Sequence, residues 1–246
     1  MNELEGKVAL VTGGSRGMGA AIARTLGARG ASVAITYRAS AESAEQVLAD
    51  LRSSRVDAFA VQADHRDDES TLQAADAVIN RFGRIDILVN SAGVFPYGPI
   101  EETTLDEINH VLATHTRAPY RLVQAVLSSM SAGGRIICIG SSLGSHVPGP
   151  GVSLYSMSKA ALVGLTKALA RELGSRGITV NLVNPGSIDT DMNPANGPQA
   201  EAERSLIPLG RYGRADEIAE VVAFLASPAG AFVNGAILAV DGGATA

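Results

Sequence analysis

The sequence alternates short runs of β-branched and aliphatic residues with longer stretches of helical periodicity, and this alternation restricts the chain to few folds. Most of the short runs are apolar on both faces, which is typical of strands in a parallel sheet that helices cover on both sides. Strands and helices in alternation, joined by right-handed crossovers, form a doubly wound sheet. We predict strands at Val8–Thr12, Ser32–Thr36, Ala58–Gln62, Ile85–Asn90, Arg135–Ile139, Thr179–Asn184 and Ala236–Val240, and helices at about 17–29, 41–54, 68–82, 104–130, 152–175 and 215–226.

No linker, repeat or low-complexity tract divides the 246 residues. The sequence therefore predicts one α/β domain over residues 1–246, a Rossmann-like doubly wound sheet of seven parallel strands with helices on both faces. Hydrophobic residues make up 46% and charged residues 18%, a balance that supports a substantial core. Residues 187–214 are rich in Asn, Pro and Gly and lack clear periodicity, so we interpret them as a substrate lid.

Composition argues against several classes of function. The net charge is −5 without a basic cluster, so we expect no nucleic-acid partner. Met1–Lys7 lacks the apolar run of a signal peptide, and the apolar runs elsewhere are far shorter than the ~18 residues of a membrane span. Cys138 is the single cysteine, which fits a reducing cytoplasm, and no cluster of His, Cys and carboxylates has metal-ligand spacing.

A glycine-rich turn follows the first predicted strand and opens the first predicted helix. Glycines let the backbone turn sharply and approach a pyrophosphate, while the helix N-terminus supplies N–H donors. The turn therefore predicts a dinucleotide site, rather than a plain loop, at Gly13, Ser15, Arg16, Gly17, Met18 and Gly19.

The end of the second strand indicates which dinucleotide binds. An acid usually stands there and binds the ribose 2′-hydroxyl, but here the first acid after the strand is Glu42. Arg16 and Arg38 would instead hold a 2′-phosphate, which favours NADP(H) over NAD(H); the alternative is two solvated surface arginines. The predicted contacts in this segment are Tyr37, Arg38, Ala39 and Ser40.

Tyr155 and Lys159 stand four residues apart at the start of a strong helical pattern, so they share one helix face. An ammonium beside a phenol lowers the phenol's pKa, which would let Tyr155 exchange the proton of an alcohol/carbonyl pair while hydride moves. Tyr155 and Lys159 are also predicted cofactor contacts, since a lysine can bond the nicotinamide ribose hydroxyls. The alternative is a half-buried tyrosine with a surface lysine. A glycine-rich loop after the fifth strand carries Ser141 and Ser142, either of which could orient the substrate oxygen. After the sixth strand, Pro185, Gly186, Ile188 and Thr190 could meet the nicotinamide carboxamide.

Together these motifs resemble the short-chain dehydrogenase/reductase family over essentially the whole chain. The resemblance implies that Tyr155 is the acid/base, that Lys159 lowers its pKa and that Ser141 polarises the carbonyl. It also implies a homotetramer, or else a homodimer, and a small carbonyl or alcohol substrate. Further implied cofactor contacts are Asp64, Asn90, Ala92 and Gly93, and His65 is either an adenine contact or a solvated loop residue.

Two runs resemble narrower branches of that family. Tyr37–Ser40 is similar to NADPH-dependent polyketide and naphthol reductases, and the chain as a whole resembles 3-oxoacyl-[acyl-carrier-protein] reductases and other NADPH-dependent ketoreductases. Residues facing the substrate are predicted to be mostly apolar. Asn193–Pro198 resembles a bacterial branch linked to cyclic-di-GMP binding and biofilm dispersal. The leading expectation is thus an NADP(H)-dependent oxidoreductase, and the alternative is a nucleotide-binding regulator with weak or no turnover. The predicted substrate-facing residues are Val94, Phe95, Pro96, Tyr97, Leu143, Val147 and Met192.

The largest departure from the family pattern is His115, which stands where the family has a catalytic asparagine. Pro119 has no N–H to donate to the His115 carbonyl four residues earlier. We predict that Pro119 kinks the helix and frees this carbonyl for a proton-relay water, in which case the identity of the side chain matters little. The alternative is an ordinary packing or surface histidine. His110 is expected on the helix surface.

Overall fold

The computed structural model describes residues 2–246 and places a parallel sheet at the centre of the molecule. The strands are β1 (Val8–Val11), β2 (Ser32–Tyr37), β3 (Ala58–Gln62), β4 (Ile87–Asn90), β5 (Arg135–Ile139), β6 (Thr179–Pro185), β7 (Ile188–Asp189), β8 (Gly213–Arg214) and β9 (Ile237–Val240). Seven of them form the main sheet in the order β3-β2-β1-β4-β5-β6-β9, with every pairing parallel. The reversal of strand order between β1 and β4 is the switch point at which doubly wound folds bind ligands.

Helices cover both faces of this sheet. They are α1 (Gly17–Ala28), α2 (Ala41–Ser53), α3 (Asp68–Phe82), α4 (Leu105–Leu112), α5 (Ala118–Val126), α6 (Ser153–Leu173), α7 (Ala200–Ser205) and α8 (Ala215–Ala226). The helix predicted over 104–130 is divided, because a π-helical turn at Ala113–Arg117 separates α4 from α5. The other predicted helices and all seven predicted strands are present, with ends displaced by one or two residues.

Alternate residues of each central strand point into two separate cores. In β1, Ala9 and Val11 pack against α1, α2 and α8, whereas Val8 and Leu10 pack against α3, α5 and α6. This arrangement explains why the strands are apolar on both faces, since each buried Leu or Ile stabilises the fold by ~1.5–3 kcal/mol. The predicted α/β fold class is confirmed.

The segment predicted to be a lid has a small structure of its own. Strands β7 and β8 pair in parallel, and Ala200, Ile207 and Tyr212 form a local apolar cluster. The Asp189 carboxylate accepts the Ala195 N–H at 2.9 Å. These contacts define the segment's shape, and its opening and closing remain a prediction. No helix within residues 2–246 is long and apolar enough to span a membrane.

Candidate active site

The carboxyl ends of β1, β2, β3 and β4 meet at one open cleft of about 1060 Å³, including its solvent-filled mouth. Ligand pockets typically enclose ~300–1,000 Å³, so this cleft has room for a large ligand. The predicted cofactor contacts that line it are Gly13, Ser15, Arg16, Gly17, Met18, Gly19, Tyr37, Arg38, Ala39, Ser40, Asp64, His65, Ala92, Gly93 and Thr190. Lining residues that were not predicted as cofactor contacts are Thr36, Ala63, Ser91, Val94, His110, Thr114, Asp191 and Met192.

The glycine turn holds the N-terminus of α1 against this cleft. Thr36 fixes the turn, because its hydroxyl accepts the Gly13 N–H at 3.1 Å and its carbonyl accepts the Gly14 N–H at 2.9 Å. A Cβ on Gly19 would lie 2.3 Å from the Gly13 carbonyl oxygen, a distance that excludes any side chain there. The first N–H groups of a helix lack partners within the helix, so this wall of the cleft offers donors to a phosphate.

Two arginines flank the outer part of the cleft. Arg16 and Arg38 are both exposed, and neither forms an ion pair with a carboxylate in the described part of the chain. Ser40 lines the same end of the cleft. Two guanidinium groups that no internal acid neutralises are a favourable environment for a doubly charged phosphate.

Asp64 and His65 follow β3 and differ in their surroundings. The Asp64 carboxylate accepts hydrogen bonds from the backbone N–H and the guanidinium of Arg66, which lower its pKa to about 2. His65 is buried, with Nε2 2.9 Å from the Thr36 hydroxyl and Nδ1 3.3 Å from that of Thr71. Burial lowers the pKa of His65 to about 4. His65 is therefore not a solvated loop residue, and it supports the threonine that holds the glycine turn.

The expectation that His110 lies on the helix surface is wrong. The residue is half-buried on α4 and lines the cleft. Burial, together with the positive charges of Arg66 and Arg38, lowers its pKa and keeps the imidazole neutral. Its Nε2 is buried and has no hydrogen-bond partner among the residues that the structure describes.

Tyr155, Lys159 and Ser141 come together where α6 passes the end of β5. The Lys159 ammonium donates to the Ile139 carbonyl at 2.9 Å and lies 5.7 Å from the centre of the Tyr155 ring. The Ser141 side chain hydrogen-bonds to Tyr155 and also accepts the Leu143 N–H at 3.1 Å. Lys159 is buried, so the interpretation as a surface lysine is excluded.

Ser142 has a different place from Ser141, since it begins the short 3-10 turn Ser142–Gly144. The structure thus brings Ser141 to the phenol of Tyr155. This group also adjoins the cleft, because a Cβ on Gly93 would lie 3.7 Å from the Lys159 Nζ.

The ionisation of this group differs from the expectation drawn from the sequence. Burial raises the pKa of Tyr155, and the hydrogen bond to Ser141 only partly opposes it. The hydrogen bond of the Lys159 ammonium goes to the Ile139 carbonyl and not to the phenol. Burial also lowers the pKa of Lys159 to about 8. At neutral pH, Tyr155 is protonated and can serve as an acid, with a cation close to its ring.

His115 lies inside the molecule, with 1% of its surface exposed. Its Nε2 accepts the Val94 N–H at 3.0 Å, and its Nδ1 lies 2.8 Å from the Ser158 hydroxyl. The interruption predicted at Pro119 takes the form of the π-helical turn, in which the Ala118 N–H donates to the Ala113 carbonyl. The prediction that the side chain of His115 matters little disagrees with these two hydrogen bonds.

Six predicted cofactor contacts are absent from the lining of the cleft: Tyr155 and Lys159, described above, and Asn90, Pro185, Gly186 and Ile188. Asn90 is buried at the end of β4, where its Nδ2 lies 3.6 Å from the Cys138 sulfur. Pro185 is buried, and Ile188 packs in the core with α1 and α8. Gly186 approaches Asp241 so closely that a Cβ would lie 2.8 Å from the Asp241 Cα. Within residues 2–246, no group of three or more His, Cys, Asp or Glu side chains is arranged to hold a metal ion.

Ser158 is a part of the site that sequence reasoning missed. It is buried on α6, between Tyr155 and Lys159 in the sequence, and its hydroxyl donates to the Tyr155 carbonyl at 2.7 Å. The only signal in the sequence is its place inside the Tyr155–Lys159 motif, and a serine there gives no indication of a histidine partner from another helix.

Comparison with known proteins is consistent with this geometry. A family model described as enoyl-(acyl carrier protein) reductase matches residues 13–245. The chain is 46% identical to a 3-oxoacyl-[acyl-carrier-protein] reductase of Pseudomonas aeruginosa and 40% identical to a cyclic-di-GMP-binding biofilm dispersal mediator protein of Escherichia coli, with 98% of each chain covered in both cases. A short-chain dehydrogenase of Burkholderia cenocepacia, solved in complex with NADP, superposes with a TM-score of 0.98 at 52% identity and covers 99% of this chain and 100% of its own. The chain belongs to the short-chain dehydrogenase/reductase family of oxidoreductases.

Proposed function

We propose that the protein reduces a ketone to a secondary alcohol with NADPH, or catalyses the reverse reaction. The observation that carries this proposal is the contact between Ser141 and Tyr155, with the Lys159 ammonium beside them, at the inner end of a cleft lined by a dinucleotide turn. Arg16 and Arg38 support NADP(H) over NAD(H), because a 2′-phosphate would neutralise their charge.

The three side chains divide the proton chemistry among them. The Ser141 hydroxyl donates a hydrogen bond to the substrate carbonyl oxygen and polarises it. Tyr155 then gives its proton to that oxygen, and the Lys159 ammonium stabilises the phenolate that remains. A bound nicotinamide supplies the hydride that adds to the carbonyl carbon. One hydride and one proton convert the ketone into the alcohol, and solvent returns the proton to Tyr155.

The walls beside Tyr155 support an apolar substrate. Phe95 packs edge-on against the Tyr155 ring at 4.8 Å and stacks with Tyr97 at 6.4 Å. Met192 and Val147 are exposed large apolar side chains from the two other loops that sequence reasoning placed at the substrate. A cyclic or aromatic ketone, or a 3-oxoacyl chain, has the apolar surface that such residues would cover.

The assembly and location are part of the same proposal. Phe232 is fully exposed, and the edge strand β9 is only half-buried, which supports a homotetramer or homodimer in which a second copy covers them. The free, buried thiol of Cys138 supports a reducing, cytoplasmic environment.

A nucleotide-binding regulator is the second candidate, favoured by the 40% identity to the cyclic-di-GMP-binding protein. In this chain, however, the Asn193–Pro198 run is tied to its own segment, since the Asn193 amide donates to Glu203 at 2.8 Å.

NADPH oxidation measured over a panel of cyclic, aromatic and 3-oxoacyl ketones tests the two functions against each other, with calorimetric titration of cyclic-di-GMP in parallel. We expect turnover with at least one ketone and a preference for NADPH over NADH. Saturable binding of cyclic-di-GMP without turnover of any ketone would overturn the enzyme proposal.

A further inference from the structure

The two ring nitrogens of His115 have different partners, and these partners define its tautomer. The Val94 N–H donates to Nε2, so Nε2 carries no proton. In the neutral ring the proton then sits on Nδ1, which donates to the Ser158 oxygen at 2.8 Å. The Ser158 hydroxyl in turn donates a hydrogen bond to the Tyr155 carbonyl at 2.7 Å. Every polar hydrogen in this series therefore has one acceptor.

These hydrogen bonds belong to a closed circuit of contacts. Val94 precedes Phe95, whose ring packs on Tyr155 at 4.8 Å, while the His115 ring meets the Tyr155 ring edge-on at 5.7 Å. The circuit runs from His115 through the loop after β4 to Tyr155 and returns through Ser158. The loop and α6 thus have a fixed spacing that the histidine side chain spans.

We propose that His115 is a positioning residue, whose imidazole holds Tyr155 and the Gly93–Phe95 loop at the separation that proton and hydride transfer require. This inference rests on the proposed function, because it assigns His115 a role in the reaction of Tyr155. It differs from a water relay at the His115 carbonyl, since the side chain and not the backbone positions Tyr155 and the loop.

The circuit works only with a neutral ring. A second proton would turn Nε2 into a donor facing the Val94 N–H and would break that hydrogen bond. Burial, followed by the charge of Lys159, lowers the pKa of His115 to about 2, so the ring stays neutral over the working range. The titratable groups that face it are Lys159 and Tyr155 on α6 and His110 on α4.

Three substitutions test whether the side chain of His115, and not its backbone carbonyl, is required. His115→Phe keeps a ring of similar size but removes both nitrogens, whereas His115→Gln keeps an acceptor for Val94 and a donor for Ser158. Ser158→Ala removes one link of the circuit. Thr166→Val is the matched control, because Thr166 is also buried on α6 but its hydroxyl has no partner in the described chain.

In the full-length enzyme with NADPH, we expect His115→Phe to lower kcat by about 10- to 100-fold, as small misplacements of reacting groups do. The Kd for NADPH should change by less than about twofold, since the nucleotide end of the cleft is untouched. We expect the apparent pKa of Tyr155 in the kcat profile to rise, because the phenol is held less firmly beside Lys159. His115→Gln should recover most of kcat, Ser158→Ala should lose about fivefold, and Thr166→Val should match wild type.

A His115→Phe enzyme that melts at the wild-type temperature and keeps kcat and its pH profile would overturn the positioning role. A loss of kcat in His115→Gln as large as that in His115→Phe would overturn it as well. If His115→Phe is too unstable to purify, an unchanged kcat in Ser158→Ala decides against the circuit. Tyr155→Phe distinguishes the failure of this inference from the failure of the proposed function, because only the second failure leaves Tyr155→Phe active.

Discussion

The two ends of the cleft differ in the burial and the hydrogen bonding of their side chains. At the end where we propose that the adenosine binds, Arg16 and Arg38 are exposed, and the groups proposed to bind the ligand are guanidinium charges and backbone N–H donors. At the catalytic end, His115, Ser158 and Lys159 are buried, and each side chain hydrogen-bonds to another part of the chain.

Substitutions at the two ends should therefore change different quantities: the affinity for the cofactor at one end and the catalytic rate at the other. Exposed charges can be removed without leaving an unpaired group, so their loss should weaken cofactor binding and leave the fold intact. Buried side chains that share a network cannot be removed singly without orphaning a partner, so their loss should reduce catalysis and stability together.

The largest expected effect lies at the catalytic end. Tyr155→Phe removes the proton donor and keeps the ring that packs on Phe95. We expect kcat to fall by about 10²- to 10⁴-fold, which is the usual contribution of a general acid. The Kd for NADPH, measured by fluorescence titration, should stay near the wild-type value. Retained turnover would remove Tyr155 from the acid/base role.

The next effect lies at the adenosine end. Arg38→Ala should weaken NADPH binding by about tenfold, because a charge-assisted hydrogen bond to the 2′-phosphate is lost. Binding of NADH should not change, and kcat at saturating NADPH should stay within about twofold. Arg171→Ala, an exposed arginine near the far end of α6, is the control. Equal weakening of NADPH and NADH would contradict the phosphate assignment.

The pH dependence sharpens the contrast further. The pKa of Lys159 is lowered to about 8, so its ammonium is lost as pH rises through that value. Burial raises the pKa of Tyr155, so the phenol keeps its proton over the same range. We therefore expect kcat/KM for ketone reduction to fall above about pH 8, since this parameter reports the free enzyme. A flat profile up to about pH 9.5 would exclude Lys159 as the titrating group.

The smallest expected effect on activity is at His65, where the protonation of a buried side chain should change stability. Unlike Arg16 and Arg38, His65 is buried. Its pKa is lowered from 6.5 to about 4, so the folded state resists the proton that the unfolded chain accepts. Its stability contribution is complete above pH 6.5 and declines as pH falls from 6.5 towards 4, by up to about 3 kcal/mol. Urea titrations of wild type and His65→Gln at several pH values measure this loss. If the free energy of unfolding falls equally with decreasing pH in both proteins, His65 is not the cause of the loss of stability.

Many of the residues that line the proposed adenosine end were identified from the sequence, because they lie in contiguous motifs. The Gly13–Gly19 turn and the Tyr37–Ser40 segment each act through residues that are adjacent in the chain. Strand positions were also predictable, since burial on both faces leaves a strong apolar pattern.

The catalytic end was harder to predict, because its contacts join distant elements. The sequence placed Tyr155 and Lys159 on one helix face, but it did not show that Ser158 pairs with His115 at a separation of 43 residues. The π-helical turn also changes the angular position of the residues in and after Ala113–Arg117, so helical periodicity could not orient the His115 side chain. His110 was misassigned because a surface position on an isolated helix and a cleft position have the same local pattern.

Transfer of hydride from NADPH to a ketone can be followed directly with an isotopic label. Wild-type enzyme is incubated with NADPH carrying deuterium on one face of the nicotinamide C4 and with a ketone that it turns over, and the alcohol is analysed by mass spectrometry and NMR. We expect NADPH labelled on one of the two faces to deliver one deuterium to the former carbonyl carbon, at a rate that falls by the same factor as kcat in Tyr155→Phe. An unlabelled alcohol from both faces, or equal transfer by Tyr155→Phe, would contradict it.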